Sequence, residues 1–189
     1  MSQLLYKFET VFHRVVPNWF FNPRYCYVYR MPCAYRVREY QLPPQFTVRL
    51  ANNSDREALV QQTVLTEDRL KVGDRAAIVT EGDRLIGAVW IATQIYHDRD
   101  TGLTIDLLPN EGWLYGAWIH RDCRGQHLYS HLIAHICESL QQQSVDSLLL
   151  AVDWSNGLSQ KVHQAFGAMR IGSLYGLRIC GARHYSLHR

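Results

Sequence analysis

The run SLLLAV at Ser147–Val152 constrains the fold more than any other stretch of this sequence. An apolar run without polar alternation suits a strand covered on both faces, because a strand with one wet face alternates with a period of two. Its flanks are helical. Before it, Leu128, Leu132, Ile133, Ile136 and Leu140 share one helix face, and after it Leu158, Val162 and Phe166 recur at every fourth position. A buried strand between two half-buried helices demands a layered α/β architecture, with helices covering a sheet.

The rest of the C-terminal part extends that alternation. FTVRL predicts a short strand, and NNSDREALVQQ a helix with Ser54 as N-cap and Glu57 at the capping-box spacing. RAAIVTEGDRLIGAVWIAT reads as two strands joined at Glu81 to Asp83, where Gly82 can take positive φ. GWLYGAWIH predicts a further strand, preceded by a loop from Tyr96 to Glu111 that has no clear period. The tail alternates on both sides of Gly181 and predicts two last strands. The element order is then β α β β β α β α β β.

With 189 residues and 47% apolar content the chain can bury one good core and is short for two independent domains. The two prolines of LPPQ, Leu42 to Gln45, interrupt both helix and sheet and divide an N-terminal extension, residues 1–45, from a domain over 46–189. The net charge of +3 resides in the extension, which carries six basic against two acidic residues, while the remainder carries 14 against 15. That excess lacks the dense Lys/Arg clusters of a nucleic-acid binder, and no nucleic-acid partner is expected. Within the extension, Leu4, Leu5, Phe8, Val11, Phe12, Val15 and Val16 share a helix face that Pro17 ends. This face suits packing on its own domain or on a second copy, as in a homodimer. With the adjacent Trp19–Phe21 it also suits a peripheral membrane contact through residues 1–22. No apolar run reaches the roughly 18 residues of a membrane span and no signal peptide is spelled, so a cytoplasmic location is expected. The five cysteines form no CxxC pair, in keeping with free thiols.

One segment carries chemistry. In HRDCRGQHLYSHLIAHI, Arg, Gly and Gln stand where the helix of Leu128 begins. The first N–H groups of a helix lack internal partners and carry the positive end of its dipole, so an anion is favoured there. Arg124 supplies charge, Gly125 lets a phosphate approach, and the N–H groups of Gln126, His127, Leu128 and Tyr129 supply donors.

The segment Trp113 to Gly167 resembles the acetyl-CoA-binding half of the GNAT superfamily of N-acetyltransferases, whose signature Q/R-x-x-G-x-G/A joins the fourth strand to the third helix. Arg124 matches its first position, while His127 and Tyr129 stand where glycine, and glycine or alanine, are usual. NGLSQKVHQAFGA is similar to a second family pattern, with Asn156, Ser159, His163 and Gly167 in register and His163 where many relatives carry a tyrosine that protonates the departing CoA sulfur. The likeness covers 46–189 in element order, and residues 1–45 lie outside it. It implies a mixed, mostly antiparallel sheet flanked by helices, and direct acyl transfer from acetyl-CoA, or another acyl-CoA, to a primary amine of unknown identity. It also implies a bulged fourth strand on which pantetheine pairs with backbone at Ala117, Trp118 and Ile119.

The sequence leaves the proton transfers open. His163 can act as general acid where its surroundings favour imidazolium, or can pack beside the cofactor. Glu111, Asp106 and Tyr115 are candidates for the general base, beside water; position 116, often acidic in relatives, is Gly116. His127, His131 and His135 recur at i, i+4, i+8, yet HLYSH lacks the glutamate and third ligand of a zinc site, and no metal is expected. Cys123 reads as a buried thiol at a strand end. A catalytically weak or inactive CoA-binding module, membrane-peripheral through its N-terminal helix, is the alternative to an enzyme.

Overall fold

The computed structural model describes residues 21–33, 41–62, 66–98, 102–179 and 182–188. The amphipathic segment over 4–16 and Gly181 lie outside them. The chain divides into two compact units, one of Met31–Tyr96 with Asp106–Leu150, the other of Met1–Arg30 with His97–Ile105 and Ala151–Arg189.

In the first unit, β2 (Phe46–Leu50), β3 (Arg75–Glu81), β4 (Arg84–Ala92) and β7 (Glu111–Ile119) pair antiparallel in that order, and β7 pairs in parallel with the start of β8 (Ser147–Asp153). This is the mixed, mostly antiparallel sheet that the sequence predicts. The β3–β4 hairpin closes through Gly82 at φ +56°, and Leu148, Leu149 and Leu150 are buried as their unbroken run requires. Helix α3 (Leu128–Gln141) lies against β2, β3 and β4 and buries all five residues of its predicted stripe.

The helix after β2 begins earlier than Ser54 suggests. Asn52 is the cap: its Oδ1 accepts the Ser54 N–H at 2.9 Å, and its own N–H donates to Asp55 Oδ2 at 2.8 Å, completing a capping box ahead of α1 (Arg56–Gln62). Arg49 adds a bidentate pair to Asp55 at 2.6 and 2.7 Å. A second helix, α2 (Thr66–Lys71), follows, held to α1 by the buried Thr66 hydroxyl on the Leu59 carbonyl at 2.9 Å. Its polar sequence TEDRLK has no apolar period to announce it. The loop before β7 contains two three-residue strands, β5 (Ile95–His97) and β6 (Thr104–Asp106), too short to leave a pattern.

In the other unit, β1 (Phe21–Pro32) pairs antiparallel with β9 (Met169–Ile179), which pairs on its other side with β10 (Ala182–His188). Part of the segment read as an extension is therefore a strand, built on the β-favouring YCYVYR rather than appended to the fold. Helix α4 (Gly157–Ala165) keeps part of its stripe: Phe166 at its C-cap is buried and Val162 half-buried, while Leu158, in the first turn, is 77% exposed and His163 is buried beside them in sequence.

Candidate active site

Strand β7 changes character along its length. Glu111–Leu114 are buried and pair with Ser147–Leu150, and among the described residues of this unit the ladder on that edge stops at Leu114, leaving Tyr115–Ile119 without a strand neighbour there. On the β4 side, Trp90 faces Tyr115 and Ala88 faces Trp118, so Gly116 and Ala117 together oppose Val89. This is a β-bulge with Gly116 at φ +59°, a conformation that glycine adopts without steric cost. A Cβ at Gly116 would lie 3.1 Å from Arg69 Nη1 and 3.2 Å from Trp90 Cδ1.

The chain leaves β7 through a 3-10 turn at Arg121–Cys123 and reaches α3 at Leu128. Arg124 is exposed and folds back, its Nε donating to the Ile119 carbonyl at 3.1 Å. Gly125 has φ +79° with open space where a Cβ would stand, and His127 takes φ +56° with its carbonyl accepting the Ser130 N–H at 2.9 Å. Among the described residues no backbone carbonyl accepts the N–H groups of Gly125, Gln126 or Leu128. Unpaired donors, an open glycine and a helix dipole fit an anion of diphosphate size. Leu128 is 2% exposed and offers only its main chain, Trp118 packs against the core of Leu59, Ile78 and Trp90, and Tyr129 is half-buried with its phenol pKa raised by burial. The exposed side chains of the turn are those of Arg124 and His127.

The predicted proton-transfer residues fare differently. Glu111 is 1% exposed and its Oε2 accepts the Leu108 N–H at 3.3 Å, which braces the turn into β7. Asp106 is exposed on β6. Tyr115 is half-buried, and its hydroxyl donates to Asp74 at the start of β3. Burial raises the Asp74 pKa, and burial together with that carboxylate raises the Tyr115 pKa strongly. Arg69 lies over the Tyr115 and Trp90 rings at 5.0 and 5.1 Å, within cation–π range. Neither Asp74 nor Arg69 stands out in TEDRLKVGDR, which reads as a solvated polar stretch; only the packing of α2 on β7 singles them out.

In the unit that holds α4, Asn156 caps the helix, its Oδ1 accepting the Ser159 N–H at 3.1 Å. His163 donates Nδ1–H to the Ser159 carbonyl at 2.8 Å, with the Ser159 hydroxyl 3.3 Å away. Burial lowers its pKa, which favours the neutral ring. Cys123 is buried, as its position predicts. Among the described residues no three His, Cys, Asp or Glu side chains gather to hold a metal ion, and no helix is long and apolar enough to cross a membrane. Of the three periodic histidines, His131 has Nε2 buried without a hydrogen-bond partner, and burial and the nearby His127 lower its pKa.

The model of the Acetyltransferase (GNAT) family matches residues 35–168, and the chain belongs to that family. Among solved structures it is similar to a conserved protein of unknown function from Staphylococcus epidermidis (TM-score 0.62, 9% identity, covering 94% of this chain and 67% of that one). It is also similar to a GCN5-related N-acetyltransferase from Sphaerobacter thermophilus (TM-score 0.58, 15% identity, 94% and 56%). A third likeness is to AAC(6')-Iy bound to a CoA-containing bisubstrate analog (TM-score 0.51, 20% identity, 65% and 89%). This chain thus spans little more than half of the Sphaerobacter protein. No curated protein matches the sequence.

Proposed function

We propose that this chain transfers an acyl group, acetyl in the first instance, from CoA to a primary amine by direct attack of the amine on the thioester. The observation that carries this reading is the continuity of the unpaired edge of Tyr115–Ile119 with the free N–H groups of Gly125, Gln126 and Leu128. A pantetheine arm can add to the open strand edge while its diphosphate meets the helix start, a backbone-only recognition that tolerates the unusual His127 and Tyr129. In this reading Arg124 adds fixed positive charge, and a main-chain N–H at the Gly116–Ala117 bulge meets the thioester carbonyl. Asn156 and Ser159 form the cap of α4. With His163 neutral, the departing thiolate takes its proton from solvent. Glu111 braces the turn into β7.

The test is thiol release from acetyl-CoA with a panel of polyamines, amino acids, aminoglycosides and peptide N-termini, run beside calorimetric titration with CoA. Binding together with amine-dependent release supports the reading. CoA binding without release for any amine favours the inactive binding module, and absence of CoA binding removes both. Gly125→Asp, which sets a carboxylate in the open space of the turn, is expected to weaken CoA binding at least tenfold.

A further inference from the structure

Beside the bulge lies a hydrogen-bonded pair of which the sequence singles out only Tyr115. Tyr115 is the residue immediately before the bulge, and its hydroxyl donates to Asp74 Oδ2. Three contacts fix the pair. Arg69 of α2 covers the Tyr115 and Trp90 rings and reaches Gly116; Tyr96 of β5 packs at 4.9 Å from the Tyr115 ring; and Asp74 is held where its N–H donates to the Arg69 carbonyl at 3.0 Å. Both members are half-buried, and Gly116 and Ala117 beside them are exposed.

We infer that Tyr115 and Asp74 form the relay that accepts the proton of the acceptor amine, with Arg69 as the positioning residue that holds it at the bulge. The inference rests on the acyltransfer reading. As the amine nitrogen forms its bond to the acyl carbon and the C–S bond breaks, one N–H proton passes to Tyr115 Oη. The Tyr115 proton passes in the same movement to Asp74 Oδ2. The thiolate leaves with the C–S electron pair, and the proton on Asp74 returns to solvent, which protonates the thiolate, so the sum is acyl-CoA plus amine giving amide plus CoA thiol. Tyr115 cannot serve alone, because a phenolate beside a carboxylate is disfavoured; the carboxylate completes the path. Burial raises the Asp74 carboxyl, which brings it toward the range where a base works near neutral pH; the charged or titratable groups that face the pair are Arg69 and Tyr96.

The experiment compares wild type, Asp74→Asn, Tyr115→Phe and the double variant. Thiol release from acetyl-CoA is followed with the most active amine of the panel from pH 5.5 to 9.5, and CoA affinity is measured by calorimetry. Each single variant is expected to lower kcat/KM about 100-fold or more and to lose the acid limb of the profile, with CoA affinity unchanged. The double variant is expected to be no worse than either single one, as for groups acting as a unit. Wild-type turnover with an Asp74→Asn enzyme of equal rate and equal pH limb overturns the relay and leaves the acyltransfer reading standing. Wild type that releases no thiol overturns that reading and the relay together. Variants that fail to bind CoA at wild-type affinity assign the pair to structure and also overturn the relay.

Discussion

The carbonyl of His127 accepts the N–H of Ser130 at 2.9 Å while His127 itself occupies the left-handed region, φ +56°. The first turn of α3 thus closes on a residue that carries a Cβ where the chain geometry favours none. A left-handed L-residue costs about 1–2 kcal/mol. The family's middle glycine therefore answers a backbone demand that is still present here, and His127 meets it at a cost.

His127→Gly should accordingly raise stability by about 1 kcal/mol, a rise in Tm of roughly 2–4 °C for a chain of this size. It should also tighten CoA binding by opening the turn. Calorimetry on both variants checks this, and an unchanged or lower Tm would show that the strain is relieved in some other way.

Gly116→Ala should do the opposite. Its φ of +59° resists a side chain, and Arg69 and Trp90 stand 3.1 and 3.2 Å from the new methyl. A loss of about 1–3 kcal/mol is expected, with amine-dependent thiol release falling more than CoA affinity because the bulge is deformed. Denaturant unfolding beside the two functional assays reads both effects.

Asp55→Ala removes the reciprocal cap of Asn52 and the partner of Arg49. A loss of about 0.5–2 kcal/mol is expected near pH 7. The Arg49 hydrogen bonds hold the Asp55 pKa below its ordinary value. Its contribution is therefore present above the unfolded pKa of about 3.9 and disappears as pH falls through the folded value. Unfolding curves at pH 7 and pH 3 should show a gap between wild type and variant that narrows in acid.

His163 and His131 have pKa values lowered mainly by burial, so the unfolded chain binds their protons first. Stability should fall as pH drops below about 6.5, the unfolded reference. His163→Gln should lessen that acid sensitivity, and because the ring is neutral near pH 7 it should reduce kcat by less than tenfold. A loss of 100-fold at pH 7.5 would return the general-acid role to His163.

Asp74→Asn carries a stability corollary. Burial is the largest influence on Asp74 and raises its pKa, so ionisation works against the folded state as pH rises above the unfolded value of about 3.9. Relative to wild type, the variant should gain stability between pH 4 and pH 7, which differential scanning fluorimetry across that range would read. A variant that becomes steadily weaker over the same range would contradict it.

Where an element announces itself through its own side chains, the sequence determined it. The Ser147–Val152 run, the α3 stripe and the Gly82 hairpin are local patterns whose periods match a buried strand, one helix face and a tight turn. The helix-start turn at Arg124–Leu128 was legible for the same reason, since unpaired N–H groups follow from being at a helix start. Tertiary structure alone decided what depends on distant partners. The membership of Phe21–Pro32 in a sheet was settled by β9, and the burial of His163 in place of Leu158 by what packs around α4. The pairing of Asp74 with Tyr115, 41 residues apart, was settled by the docking of α2 against a bulged strand. A hydrogen bond across that separation leaves no period in the chain, because its geometry exists only once the sheet has formed.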